Sequence, residues 1–431
     1  MQIHVVKSQE TLFSIAQTYG LSTQYLQNIN QLPNPNNLVI GQTIIILYPE
    51  VSHTVKQGDT LASIANQYNV TVIRLLRNNP FTAQRTIVPG DLIVVSYKSP
   101  FIGATQISGY IYPNVNLDYL RTVLPYLTYI SIFTHGINDD GTLITITDEK
   151  IIALARSFGV APLMHLSSLN KEGVFSSELA SKVLNDTVLQ DKLIENILVT
   201  LKEKKYNGLD IDFEFLPPED SQNYVNFISK LTARLNQYGY IVIAALAPKT
   251  SSTQKGLLYE GHNYLGIGAA ANLSFIMTYE WGYTYGPPMA IAPIDNVRKV
   301  LDYAITEIPS DQILMGIPSY GYIWQLPYEK GVTKATSISN LTAIEIAAEK
   351  NVEIFYDETS QSPFYNFIDN TGTPAEVWFE DARSIETKLM LIKEYGLAGA
   401  GYWNLDRPFQ QNWMVLNALY NIMQVPLVLN E

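Results

Sequence analysis

Cysteine is absent from the 431 residues, which excludes disulfides, thiolate metal ligands and a cysteine nucleophile. Charge is sparse too: 16% of residues are charged against 47% hydrophobic, too apolar a balance for a chain kept disordered by charge. Basic residues are the scarcer sign, 28 against 40 acidic, for a net charge of −12. Binding nucleic acid needs fields of Lys and Arg, so no nucleic-acid partner is expected. No apolar run approaches the roughly 18 residues of a membrane span, so no membrane partner is expected either. The opening MQIHVVKSQETLF has no basic stretch leading into an apolar one, and no Sec signal peptide is expected. The five histidines are scattered; no metal site and no cofactor are expected.

What the chain has in quantity is aromatic: 28 Tyr, 15 Phe and 5 Trp. Aromatics fill cores, but so many tyrosines among so few charges also suit the binding of sugar faces. The length predicts roughly two to four domains.

The first hundred residues contain a repeat. HVVKSQETLFSIAQTYGLS from His4 matches HTVKQGDTLASIANQYNVT from His53 without a gap, and the register holds for 14 identities over the 43 pairs from His4/His53 to Ile46/Val95. Each copy reads as strand, helix, helix, strand. A β-run (His4–Val6, His53–Val55) leads to Thr11 or Thr60 as N-cap of a helix carrying Leu-x-x-Ile-Ala. A second short helix holds Leu26 or Leu75, and a turn with Gly41 or Gly90 leads to the β-rich Thr43–Leu47 or Leu92–Ser96. This pattern resembles the LysM module, over 1–48 and 49–98. The second copy keeps Gly58-Asp59-Thr60-Leu61; the first has Gln9-Glu10-Thr11-Leu12, without the glycine of the turn. The resemblance implies binding of the N-acetylglucosamine-containing glycans of peptidoglycan and chitin. On the residues alone, two small α/β modules without a ligand are the alternative.

From 99 to 431 apolar β-like segments alternate with helical ones. Strands are predicted at Ile107–Tyr112, Tyr129–Thr134, Val160–His165, Gly208–Phe215, Ile241–Ala247, Leu273–Tyr279, Ile313–Pro318 and Ala398–Trp403. Helices fall between them, among them a broken one over Ser177–Glu203, and Ser221–Tyr238, Ile294–Glu307 and Ala382–Glu394. The alternation predicts an α/β fold, a (β/α)8 TIM barrel. A small α+β insertion is expected at about 325–376, with its own helix near Asn340–Lys350. A doubly wound sheet is the other architecture considered, but no glycine-rich phosphate loop follows the first strand.

The most informative segment is Tyr206-Asn207-Gly208-Leu209-Asp210-Ile211-Asp212-Phe213-Glu214-Phe215. Side chains alternate along a strand, so Asp210, Asp212 and Glu214 project to one side and Leu209, Ile211, Phe213 and Phe215 to the other. In a barrel the apolar set packs under the helices and the acids line the interior. Unpaired buried charge is costly there, so three stacked acids ask for a functional reason. An edge strand with a solvated acidic face is one alternative, and a metal site is another. Stacked acids raise at least one pKa through repulsion and desolvation, which suits a general acid, and Glu214 lies at the strand's C-terminal end.

This segment resembles the D-G-x-D-x-D-x-E signature of glycoside hydrolase family 18, with Asn207 where the family has Asp. Met277-Thr278-Tyr279-Glu280 resembles its M-x-Y-D motif, with Glu280 in place of Asp. Gly401-Tyr402-Trp403-Asn404 resembles its eighth-strand ending and Gly109-Tyr110 its first strand. The resemblance implies substrate-assisted hydrolysis with retention, in which the sugar's own 2-acetamido oxygen attacks the anomeric carbon. It implies Glu214 as acid and then base, Asp212 orienting the acetamide, Tyr279 holding its oxygen, and Asp210 modulating Asp212. Trp403 would form the floor under the sugar, Tyr110 would line the pocket and Glu280 would contact substrate. Trp281 is a second candidate for stacking and Trp324 a weaker one, while Trp378 and Trp413 are expected to be structural. His135 and His165 fall at strand ends, with substrate and core roles both open.

Two LysM-like repeats before such a barrel, together with Val377–Ser384 (VWFEDARS), resemble the spore-cortex hydrolases of the family. That implies an N-acetylglucosaminidase acting on cortex peptidoglycan during germination, placed in the spore coat or cortex or the cell wall of a spore-forming bacterium, and monomeric. Gly316-Ile317-Pro318-Ser319-Tyr320-Gly321-Tyr322 is nearer to the family at large, which keeps chitin oligomers as an alternative substrate. A non-catalytic glycan-binding spore-coat protein is the other alternative.

Overall fold

The computed structural model describes residues 1–428 except 33 and 99; the boundary expected at 99 therefore falls on a residue outside those described. Both repeats fold as strand, helix, helix, strand. The first is built from Gln2–Val5, Leu12–Tyr19, Thr23–Asn30 and Thr43–Ile46. The second is built from Pro49–Thr54, Leu61–Tyr68, Val72–Asn78 and Leu92–Tyr97. Each first helix starts for the same local reason. The Thr11 hydroxyl accepts from Ser14 N–H while Ser14 Oγ accepts from Thr11 N–H, and Thr60 and Ser63 repeat the exchange. These reciprocal bonds satisfy amides that a helix start otherwise leaves bare. The missing glycine of the first repeat is absorbed by strain: Gln9 takes φ +68 where Gly58 takes φ +90, at a cost on the order of 1 kcal/mol.

The rest of the chain closes into a barrel of eight parallel strands: Gly103–Ile111, Tyr129–Ile137, Ala161–Ser167, Gly208–Asp212, Ile241–Leu246, Leu273–Ile276, Ile313–Pro318 and Gly399–Trp403. Closure comes from the eighth strand pairing with the first (Gly399 beside Gln106) and the first with the second (Tyr110 beside Ser131). The expected break in the long helix lies at Asp186, whose carboxylate accepts from Val188 and Leu189 N–H and so starts a second helix, Thr187–Lys204.

Between the seventh and eighth strands the chain builds an antiparallel five-stranded sheet within Tyr320–Trp378, with the helix Asn340–Lys350 packed on it. Ile338, Ala343, Ile344, Tyr365 and Val377 form a separate small core there, and Val39 of the first repeat joins it. The repeats are therefore packed onto the barrel. Gln411, on the helix Gln410–Leu419 after the eighth strand, donates to Asn30 Oδ1 (3.0 Å) and to the Thr43 carbonyl (2.7 Å). Arg77 of the second repeat is buried, its guanidinium donating to the carbonyls of Pro125 and Ile422.

Two strands stop well before their predicted ends. The fourth ends at Asp212 rather than Phe215, and the sixth at Ile276 rather than Tyr279. The chain turns at both ends, through Phe215 at φ +55 and Glu280 at φ +67. Strict alternation therefore fails beyond Phe213: Phe213 packs under the helices as expected, whereas Phe215 turns outward and is half-exposed.

Candidate active site

The ends of the barrel strands surround a cleft of about 740 Å³. Tyr110, Asp212, Glu214, Tyr279, Glu280, Trp281 and Trp403 all line it, so seven of the eight expected site residues meet in one cavity. Asp210 lies below it, 1% exposed, where Ser131 Oγ donates to its Oδ2 over 2.6 Å.

The acids are held against their preference for water. Burial pushes Asp210 and Asp212 above the usual carboxylate range. Burial also raises Glu214, and the like charges of Asp212 and Glu280 add to it. Each of these effects favours the protonated form of Glu214. His165 is buried with Nδ1 2.7 Å from Thr134 Oγ1 and Nε2 3.5 Å from Asp212 Oδ2. Burial lowers its pKa to about 4, so the imidazole is neutral and supplies a dipole rather than a charge beside Asp212. Burial likewise raises the Tyr110 and Tyr279 hydroxyls well above their ordinary value, which keeps both as donors.

Trp403 closes one side of the cleft, its ring 5.5 Å from Tyr110 and 5.1 Å from Phe133 in edge-on contact. Such packing fixes a flat indole face in place. Glu280 is held from the added sheet, with Tyr320 and Tyr322 hydroxyls donating to its Oε1 at 2.8 and 3.2 Å. Among the described residues, no group of three or more His, Asp or Glu side chains is placed to hold a metal ion.

The model of glycosyl hydrolases family 18 matches residues 163–407, more than half of the chain, and the LysM domain model matches 4–47 and 53–96. The chain belongs to glycosyl hydrolases family 18. It is 44% identical over 430 residues to the cortical fragment-lytic enzyme of Bacillus subtilis, covering 98% of this chain and 99% of that one. The crystal structure of the spore cortex-lytic enzyme SleL of Bacillus megaterium matches with a TM-score of 0.84 at 37% identity, over 99% of both chains. A chitinase of Chromobacterium violaceum shares the fold, with a TM-score of 0.69 at 23% identity over 73% of this chain and 98% of that one.

In this family 18 chain the remaining aromatics divide cleanly. Trp324 is fully buried, its indole N–H donating to the Gly286 carbonyl; it belongs to the core. Trp378 stacks on Phe364 and Trp413 on Tyr126, both away from the cleft. His135 sits in a buried cluster with Asp148 and Tyr206 outside the cleft. Asn207 faces away from the acids, its amide donating to the Pro426 carbonyl. Sequence reasoning missed Tyr112, Phe133, Phe175, Phe215 and Tyr283, which also line the cavity. Tyr112 and Phe133 carried a usable signal: Tyr112 stands two residues after Tyr110 in an expected strand, and the strand of Phe133 pairs beside it. The others sit in loops or turns, where no periodicity places them.

Proposed function

We propose that this protein hydrolyses β-1,4 bonds next to N-acetylglucosamine in peptidoglycan, with retention and with the substrate's acetamido group as nucleophile. The observation that carries the reading is the pairing of Glu214 and Asp212 in one aromatic-walled cleft, both with raised affinity for a proton. Glu214, neutral at neutral pH, protonates the glycosidic oxygen. The 2-acetamido oxygen attacks the anomeric carbon as that bond breaks, giving a cyclic oxazolinium intermediate. Asp212 takes the acetamido N–H and offsets the positive charge developing there. Its Oδ1 accepts no hydrogen bond within the protein, so an acceptor is available. Tyr279 donates to the acetamido oxygen, and Asp210 sets the charge below Asp212. Glu214, now a carboxylate, deprotonates the water that opens the intermediate, and two inversions leave retention. Trp403, Tyr110, Trp281 and Glu280 hold the sugar.

The cortical fragment-lytic and cortex-lytic relatives support spore cortex as the natural substrate, with action in the spore wall during germination. The LysM repeats would hold the enzyme on the glycan as a monomer. Mass spectrometry of digests of cortex peptidoglycan, vegetative peptidoglycan and chitin tests this, with Glu214→Gln as control. Fragments ending in reducing N-acetylglucosamine, from cortex above the other two, are expected. Muramic acid ends, or equal activity of the Glu214→Gln protein, would overturn the reading.

A further inference from the structure

The two repeats share a groove but use it differently. In the first repeat Asn30, Gln31, Leu32 and Gln42 face Leu341, Phe409 and Gln411 of the barrel domain across a space of only about 40 Å³, and a separate space of about 270 Å³ opens beside Gln42, Asn34 and Asn37. At the offset of 49 the counterparts are Asn79, Pro80, Phe81 and Asp91. All four line an open groove of about 490 Å³ in the second repeat. Its opposite wall is the second helix of the first repeat, through Gln24, Tyr25 and Asn28.

What fills the first groove indicates what fits the second. The plug is the side-chain carboxamide of Gln411. Its N–H group donates to Asn30 Oδ1 and the Thr43 carbonyl, and its oxygen accepts from Thr43 Oγ1 at 3.0 Å. A carboxamide has the donor and acceptor of an acetamido group. The second groove keeps the matching acceptors. Asn79 Oδ1 accepts from Val94 N–H as Asn30 Oδ1 does from Ile45 N–H, and each oxygen has a second lone pair. Leu92 stands at the position of Thr43. Because Val55 N–H bonds the Asp91 carbonyl, ladder alternation points the Leu92 carbonyl away from its partner strand. The groove is electrically balanced, since Arg85 and Asp91 form a two-pronged pair at 2.7 and 2.8 Å. Tyr25 and Phe81 give it apolar surface, and Gln24 and Asn28 give it amides.

We propose that this inter-repeat groove is a binding site for an acetamido sugar of a glycan strand, separate from the cleft and built from both repeats. The first repeat supplies one wall, and its own Asn30 and Thr43 are taken by Gln411 of the barrel domain, so the carboxamide position is open in the second repeat alone. The inference rests on the reading that the repeats hold glycan.

Hydrogen–deuterium exchange of the full-length Glu214→Gln protein, with and without chitohexaose, tests it. Slower exchange is expected in peptides covering 22–30 and 79–92, besides those of the cleft. Asn28→Trp, which fills the groove, should erase the protection at 22–30 and 79–92, leave the cleft protected, and weaken retention on insoluble chitin at least tenfold. Gln24→Trp, at an exposed site, serves as a second variant should Asn28→Trp fail to fold. Protection in the repeats confined to other segments, such as 56–70, would overturn the groove while leaving the repeats as glycan binders. No protection anywhere in 1–98 would overturn both.

Discussion

The Tyr320 hydroxyl donates to Glu280 Oε1 over 2.8 Å, tying the first strand of the added sheet to the end of the sixth barrel strand. Tyr322 adds a second bond to the same oxygen. Charge-assisted bonds of this kind offset a glutamate held at φ +67. The carboxylate so fixed adds to the proton affinity of Glu214. On the proposed role of Glu214 as general acid, which must be protonated to act, Glu280→Gln should move the basic limb of the kcat/KM–pH profile to lower pH. Tyr320→Phe keeps the charge but loosens it, and should raise KM more than it shifts the limb. A basic limb unmoved by Glu280→Gln would mean that this charge does not govern Glu214.

Glu214→Gln should separate activity from stability. Loss of general acid–base action should lower kcat about 10²–10⁴-fold. Stability should move the other way. Glu214 binds its proton more tightly folded than unfolded, because burial and then Asp212 and Glu280 penalise its charge. The folded state therefore holds more protons between the ordinary glutamate pKa and the raised value, and this contribution falls as pH rises through that window. Glutamine has no such penalty, so thermal melts should show a higher Tm for Glu214→Gln at pH 8, with the gap closing by pH 4.

Lys388 and Glu380 form an ion pair at 2.8 Å with both side chains essentially inaccessible to water, joining the end of the added sheet to the helix Ala382–Tyr395. Removing one partner strands the other charge in the core. Lys388→Met should therefore cost about 3–5 kcal/mol, read as a lower denaturation midpoint with an unchanged slope. Lys388→Met combined with Glu380→Leu should recover much of the loss; no recovery would mean that packing rather than charge sets the cost.

The barrel strands were legible because each is a short apolar run with helical spacing after it, and the acids stood out because Asp210 and Asp212 sit where a barrel wants Val or Leu. The repeat was legible from its offset alone. What sequence did not disclose depends on backbone turns and distant partners. One left-handed residue, Phe215, turns an expected core aromatic into cleft lining. Trp324 looks like a sugar platform from its place after the seventh strand, yet the Gly286 carbonyl draws it into the core. The seam between repeats and barrel hangs on pairs hundreds of residues apart, such as Gln411 with Asn30, which no local pattern contains.

Ser131 offers the sharpest test of how Asp210 works. Its hydroxyl donates to Asp210 Oδ2 at 2.6 Å, and the Tyr110 hydroxyl also favours the charged form of the same carboxyl. The Ser131 bond favours the charged form of Asp210 against the burial that opposes it. Ser131→Ala should push Asp210 further toward its neutral form and weaken the negative charge supporting Asp212. A lost bond to a charged group is worth about 1.5–3 kcal/mol, so kcat should fall roughly 10- to 150-fold. KM for a small soluble substrate should change little, because Ser131 lies below the cleft. Ser131→Thr, which keeps the hydroxyl, should retain most of the activity. Equal loss in Ser131→Thr and Ser131→Ala would place the effect in packing rather than in the charge of Asp210.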